Sequence, residues 1–145
     1  MPERRGGAGH VGYPAGMKPR ILVADDESDF VEILKFRLTP LHGEILTAAN
    51  GVQALSLARQ FQPDLILLDI LLPDLDGLSV RDILRRQPAT KKIPIIFISA
   101  LSGRAARRTM TASTEDFFTK PLDWERLARR IDELLNDAPA SRDFK

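Results

Sequence analysis

The 145-residue sequence has no cysteine, one tryptophan, one tyrosine and only two histidines. Without thiols it can form neither a disulfide scaffold nor thiolate zinc or iron–sulfur sites, and a cysteine nucleophile is excluded. His10 and His42 are too few for a histidine-rich metal centre. Excess charge of one sign is also missing: 21 Lys and Arg stand against 20 Asp and Glu, a net +1 that exerts no general pull on nucleic acid or anionic membrane. The N-terminal stretch lacks the apolar run of a signal peptide or a membrane span. What remains is a 43% hydrophobic, 28% charged chain typical of a soluble globular protein. Its length suits one domain, taking roughly 150 residues per domain. Its chemistry must rest on carboxylates, hydroxyls, Lys and Arg.

Glycine marks one boundary. Gly6, Gly7, Gly9, Gly12 and Gly16 fall in the first 16 residues beside Pro2 and Pro14, a composition that loses much entropy on ordering and buries little in return. Residues 1–18 are therefore expected to be a flexible tail, the domain to span 19–136, and 137–145, with Asp-Ala-Pro-Ala-Ser, to be a second tail. The first tail carries +2 and the second zero, so the domain itself is at −1.

Inside the domain, short apolar runs alternate with helical spacing. Ile21–Ala24, Leu65–Leu68 and the run from Ile93 to Ala100 show no polar alternation, as expected for parallel strands buried on both faces. Glu44 to Ala49 and Asp116 to Thr119 are weaker strands. Helical spacing joins Val31, Leu34 and Leu38, then Val52, Leu55 and Ala58, then Leu78, Ile83 and Leu84, and finally Leu127, Ile131, Leu134 and Leu135. Asp123 suits the N-cap of the last helix, with Leu122 and Leu127 as its hydrophobic staple. Gly103 to Ala112 becomes a helix by default. Strand and helix alternating five times predict a doubly wound open α/β sheet with helices on both faces.

In such a sheet, functional groups collect at the carboxyl ends of the strands. Those ends read Asp25-Asp26, Asp69, Ser99 and Thr119-Lys120-Pro121. Any one of these Asp residues alone is most simply a turn or cap residue. Together they place three carboxylates, a hydroxyl and an ammonium on one rim. Three neighbouring acids repel unless a cation joins them, and a hard, oxygen-liganded divalent ion such as Mg²⁺ answers that need. With Lys and Ser added, the rim suits a phosphoryl group.

The segments Ile21-Leu22-Val23-Ala24-Asp25-Asp26-Glu27, Pro63-Asp64-Leu65-Ile66-Leu67-Leu68-Asp69, Leu72-Pro73-Asp74-Leu75-Asp76-Gly77, Ile95-Ile96-Phe97-Ile98-Ser99-Ala100 and Phe117-Phe118-Thr119-Lys120-Pro121 together resemble the receiver domain of two-component response regulators. The resemblance implies a flavodoxin-like (βα)5 fold and a module that accepts a phosphoryl group from a histidine kinase or phosphotransfer protein. By residue, it makes Asp69 the phosphoacceptor. Asp26, Asp69 and the backbone carbonyl of Leu71 become ligands of Mg²⁺ or Mn²⁺, with Asp25 acting mainly through a metal-bound water. Lys120 would pair first with Asp69 and then with the phosphoryl oxygens. Ser99 takes the switch-hydroxyl position, Phe117 the aromatic-switch position, and the Lys120–Pro121 bond would be cis. A downstream protein would meet the face of helix 4, strand 5 and helix 5, which also allows a homodimer with Arg129, Arg130, Asp132 and Glu133 in support. Neither nucleic acid nor membrane is expected as a direct partner, and the location implied is cytoplasmic. Whether the chain is a whole regulator or part of a longer one is left open.

Three departures stand out. Ser113-Thr114 replace the small Gly-Ala pair usual in the family before the last strand. Leu71 and Leu101, two residues beyond Asp69 and Ser99, cannot position an attacking water, so a long-lived acyl phosphate is expected. Residues 81–108 carry Arg81, Arg85, Arg86, Lys91, Lys92, Arg104, Arg107 and Arg108 against Asp82 alone, read either as a solvated face or as steering for an acidic partner. An aspartyl-nucleophile phosphatase or dehalogenase is the competing class. It needs a second acid two residues after the nucleophile, where this chain has Leu71. A constitutive, unphosphorylated receiver is the third reading, disfavoured by the full set of site residues.

Overall fold

A computed structural model describes residues 18–112 and 115–143. The N-terminal tail up to residue 17, the Ser113-Thr114 departure and the side chain of His42 lie outside the described residues. The order is β1 (Arg20–Ala24), α1 (Ser28–His42), β2 (Glu44–Ala48), α2 (Gly51–Phe61), β3 (Leu65–Leu68), α3 (Gly77–Arg85), β4 (Ile95–Ser99), α4 (Gly103–Ala112), β5 (Asp116–Thr119) and α5 (Trp124–Asp143). All strands are parallel, in the order β2-β1-β3-β4-β5. This is the doubly wound sheet expected from the alternation, and the flavodoxin-like (βα)5 fold that the resemblance implies.

The unbroken apolar runs are explained by two cores. Successive strand side chains point to opposite faces. On one face Leu22, Ala24, Ile66, Leu68, Ile95 and Phe97 meet α2 and α3 through Leu55, Ala58, Val80 and Leu84. On the other, Ile21, Val23, Leu65, Leu67, Ile96 and Ile98 meet α1 and α5 through Leu34, Leu38, Leu127, Ile131 and Leu135. Each fully buried Leu or Ile contributes about 1.5–3 kcal/mol, so a strand polar at every second position would lose one core. The α4 helix differs: among its residues with described side chains, only Ala106 is buried.

Helix ends follow their capping residues. Asn50 accepts from Gln53 N at α2, Asp76 from Ser79 N at α3, and Asp123 from Arg126 N at α5. The α5 backbone continues to Asp143, through residues, Pro139 among them, whose composition reads as a tail. Among the described residues, no helix is long and apolar enough to cross a membrane.

Candidate functional site

Backbone pairing extends one residue past each strand and so fixes the rim. Asp25 N donates to Ala48 O, Asp69 N to Ala24 O and Lys120 N to Ser99 O, at 3.0, 2.9 and 3.0 Å. The side chains just beyond β1, β3 and β5 thereby converge at the carboxyl edge. Carboxylate oxygens of Asp25, Asp26 and Asp69 lie within 4.8 Å of one another. Asp25 and Asp69 are buried at 4% and 5% exposure, while Asp26 is open to solvent.

The ammonium of Lys120 faces this cluster. It donates to Asp25 Oδ2 at 2.8 Å and to Glu27, and stands 3.7 Å from Asp69 Oδ2. The resemblance implies Asp69 as its first partner; here the shorter bonds go to Asp25 and Glu27. Asp25 is doubly engaged, since its Oδ1 accepts from Glu27 N at 2.9 Å. Asp69 Oδ1 accepts from Leu71 N at 3.0 Å, so the loop carrying Leu71 is tied to the Asp69 side chain.

These contacts set the electrostatics. Burial pushes the Asp25 carboxyl above the usual Asp range, and the Asp69 charge adds to it. Hydrogen bonds from Lys120 and Glu27 N oppose the rise without cancelling it. Burial pulls the other way on Lys120, but its hydrogen bonds to Asp25 and Glu27 and the charges of Asp25 and Asp69 prevail, holding it above the ordinary Lys value. The lysine stays charged, yet one cation does not neutralise four nearby acids. Two buried carboxylates, a third exposed one and all-oxygen donor chemistry fit a hard divalent cation.

Close backbone approach shapes the loop after β3. A Cβ on Gly77 would lie 2.3 Å from the Asp69 carbonyl oxygen, and Gly77 N donates to Ile70 O at 2.8 Å. Asp74, at φ +65°, accepts from Gly51 N at 2.9 Å and Val52 N at 3.3 Å, capping α2 from the loop that carries Leu71. A Cβ on Gly51 would sit 2.2 Å from Leu75 O.

Ser99 ends β4 with no exposure, and its Oγ accepts from Leu101 N at 3.3 Å. Phe117 pairs in register with Phe97 and packs, half-buried, against the α2–α3 core. Lys120–Pro121 is cis. The Leu71 side chain is half exposed at the rim.

Sequence reasoning missed three groups. Glu27 follows the acid pair directly, and the five acids without a base in residues 25–32 were a usable signal. Asp74 carried none. The third is Glu115, whose side chain is only 5% exposed and pairs with Arg81 at 2.6 Å and Arg85 at 3.2 Å. Arg85 also donates to Lys91 O and Ile93 O. Two members of the basic run are thus struts that reach solvent only in part, with their charge already matched. Arg130 is similarly engaged, with Asp116 at 2.7 Å and Glu133 at 3.0 Å.

Comparison with known proteins agrees with this geometry. A family model described as the response regulator receiver domain matches residues 21–132. The response regulator PleD of Caulobacter vibrioides is 40% identical over 119 residues, which cover 81% of this chain and 26% of PleD. The DNA-binding dual master transcriptional regulator RpaA of Synechocystis is 35% identical over 118 residues, covering 81% of this chain and 49% of RpaA. The chain thus spans about a quarter to a half of the length of these curated relatives. Among solved structures, the receiver domain of the Francisella response regulator 1452 superposes with a TM-score of 0.72 at 30% identity, covering 81% of this chain and 96% of that one. The receiver domain of the sensor histidine kinase PA1611 from Pseudomonas aeruginosa, with a magnesium ion coordinated in its active-site cleft, gives 0.76 at 27% identity, covering 83% and 100%.

Proposed function

This chain belongs to the response regulator receiver domain family, and from that premise we propose that Asp69 is its phosphoacceptor. The observation that carries the reading is the gathering of Asp25, Asp26 and Asp69 within 4.8 Å, with Lys120 beside them. The chain is a receiver, not a classical enzyme. The donor is a histidine kinase or a phosphotransfer protein. An Asp69 oxygen forms the new P–O bond as the P–N bond of the phosphohistidine breaks and the imidazole leaves.

Asp26, Asp69 and the Leu71 carbonyl would hold Mg²⁺ or Mn²⁺, with Asp25 bonded mainly to its water. When bound, the ion supplies positive charge that offsets repulsion between carboxylate and phosphoryl group. Asp25 suits an outer role because both its oxygens already accept hydrogen bonds. Lys120 follows the charge, moving from Asp25 and Glu27 to the phosphoryl oxygens. The Ser99 hydroxyl turns from the bond it accepts from Leu101 N to donate its O–H to a phosphoryl oxygen, and Phe117 turns into the space it vacates. The domain is assigned to 19–136, with a tail before it and the last turns of α5 beyond it. Output runs through the α4–β5–α5 face to a downstream protein or a second copy.

Incubation with acetyl phosphate or beryllofluoride and Mg²⁺, read by intact mass or Trp124 fluorescence, tests the assignment. The wild type should respond and Asp69→Ala should not. An undiminished response in the variant sinks Asp69 as acceptor.

A further inference from the structure

Lys120 has a neighbour that forms no hydrogen bond with it. Its Nζ lies 4.2 Å from the centroid of the Phe30 ring. Phe30 in turn stacks on Trp124, with centroids 6.5 Å apart and planes 29° from parallel. The Arg37 guanidinium lies over the Trp124 ring, 4.7 Å from its centroid. The order is cation, ring, ring, cation, built from α1, the first residue of α5 and the residue after β5. Phe30 and Trp124 both pack, half-buried, against the α1–α5 core, so neither ring is free to leave. The Lys120 side chain is only 12% exposed, a setting in which a cation–π contact is stronger than at an open surface.

We infer that Phe30, braced by Trp124, is a positioning residue for Lys120 in phosphoryl transfer. The inference rests on the role proposed for Lys120 above. A lysine ammonium is a compact charge on a four-carbon stem, and three carboxylates within reach give it several seats. Asp25, Glu27 and Asp69 all draw it from the acidic side. The Phe30 face adds a contact at 4.2 Å that is not a carboxylate. Because the ring accepts no directed hydrogen bond, it does not compete with a phosphoryl oxygen for the N–H donors. The ammonium can change carboxylate partners while its position over the ring is kept. The ordering entropy of the long side chain is then met before the reaction begins.

The test compares initial rates of acyl-phosphate formation from acetyl phosphate with Mg²⁺, by intact mass, in wild type, Phe30→Leu and Phe30→Tyr, with Asp69→Ala alongside. Phe30→Leu keeps apolar bulk and removes the π face, and should slow the reaction about fivefold, the scale of a partly desolvated cation–π contact. Phe30→Tyr restores the face and should stay within about twofold of wild type. Since Trp124 is the sole tryptophan, the fluorescence change on adding beryllofluoride should persist in Phe30→Tyr and largely vanish in Phe30→Leu. If Phe30→Leu does not fold, Phe30→Met takes its place. A wild-type rate in Phe30→Leu overturns the inference, as does equal slowing in Phe30→Tyr, which would mean that fit and not the π face matters. Phosphoryl uptake by Asp69→Ala would instead overturn the acceptor assignment beneath it.

Discussion

Two charged clusters lie at opposite ends of the sheet, one short of cations and the other matched. At the carboxyl edge Asp25, Asp26, Asp69 and Glu27 gather around one cation among the described residues, Lys120. At the amino edge Glu115 is held between Arg81 and Arg85, and Asp82 takes the Arg81 Nε at 2.7 Å. Both have buried members, yet only the first has unmet demand. Burial, with the Asp69 charge adding to it, raises Asp25 against its partner's pull, and the surplus of carboxylates calls for a further cation. The second is closed: Glu115 has a guanidinium on each oxygen, and Arg85 spends its remaining donors on the carbonyls of Lys91 and Ile93. A buried charge cluster is therefore read by its balance. An open account indicates a site for something to bind, and a closed one a strut.

Breaking each cluster should separate the two roles. Lys120→Met should lower the rate of acyl-phosphate formation by about two orders of magnitude, as loss of a preorganised charge does elsewhere, measured by intact mass with saturating Mg²⁺. Glu115→Ala should do the reverse. It strands two part-buried guanidinium groups and should cost about 2 kcal/mol in urea unfolding, below the usual figure for a buried pair because both arginines reach some solvent. Its phosphorylation rate should stay within about twofold of wild type. A slowed Glu115→Ala would show that the strut also serves the rim.

Asp74→Ala tests the bridge from the Leu71 loop to α2. Losing a cap over two amides should cost about 1 kcal/mol, seen in the same unfolding measurement. It should also weaken Mg²⁺ binding, followed by Trp124 emission. The smallest expected effect is at Leu71, where the exposed side chain cannot order a water. The wild-type acyl phosphate should persist for minutes or longer, and Leu71→Asn should shorten its life severalfold, about 1 kcal/mol in barrier. A wild-type half-life of seconds would contradict this.

Most of the fold could be read in the residues because each strand is buried on both faces. Leu65-Ile66-Leu67-Leu68 has no other use for four consecutive apolar side chains, and its run coincides with β3. The site was equally visible, since topology brings strand ends together whatever their separation in sequence. What stayed hidden were contacts between distant side chains. Nothing local to Lys120 announces Glu27, 93 residues away, or Phe30 in the same helix region. Arg81 and Arg85 looked like surface charge because residue type does not reveal whether a guanidinium is matched. Glu115, 34 and 30 residues further on, is what matches them.

The sparse anchoring of α4 has its own thermodynamic consequence. Gly103 opens the helix at φ +66° with nothing within 4 Å of where a Cβ would be, and Ala106 is the one methyl it is known to bury. Local unfolding there requires little free energy, so α4 amides should exchange with deuterium sooner than those of α1, α2 or α3. The Ser99–Leu101 hydrogen bond lies immediately upstream of this segment. A small local rearrangement at the end of β4 therefore meets a part of the molecule that offers almost no elastic resistance, and its energy need not be spent deforming a packed core.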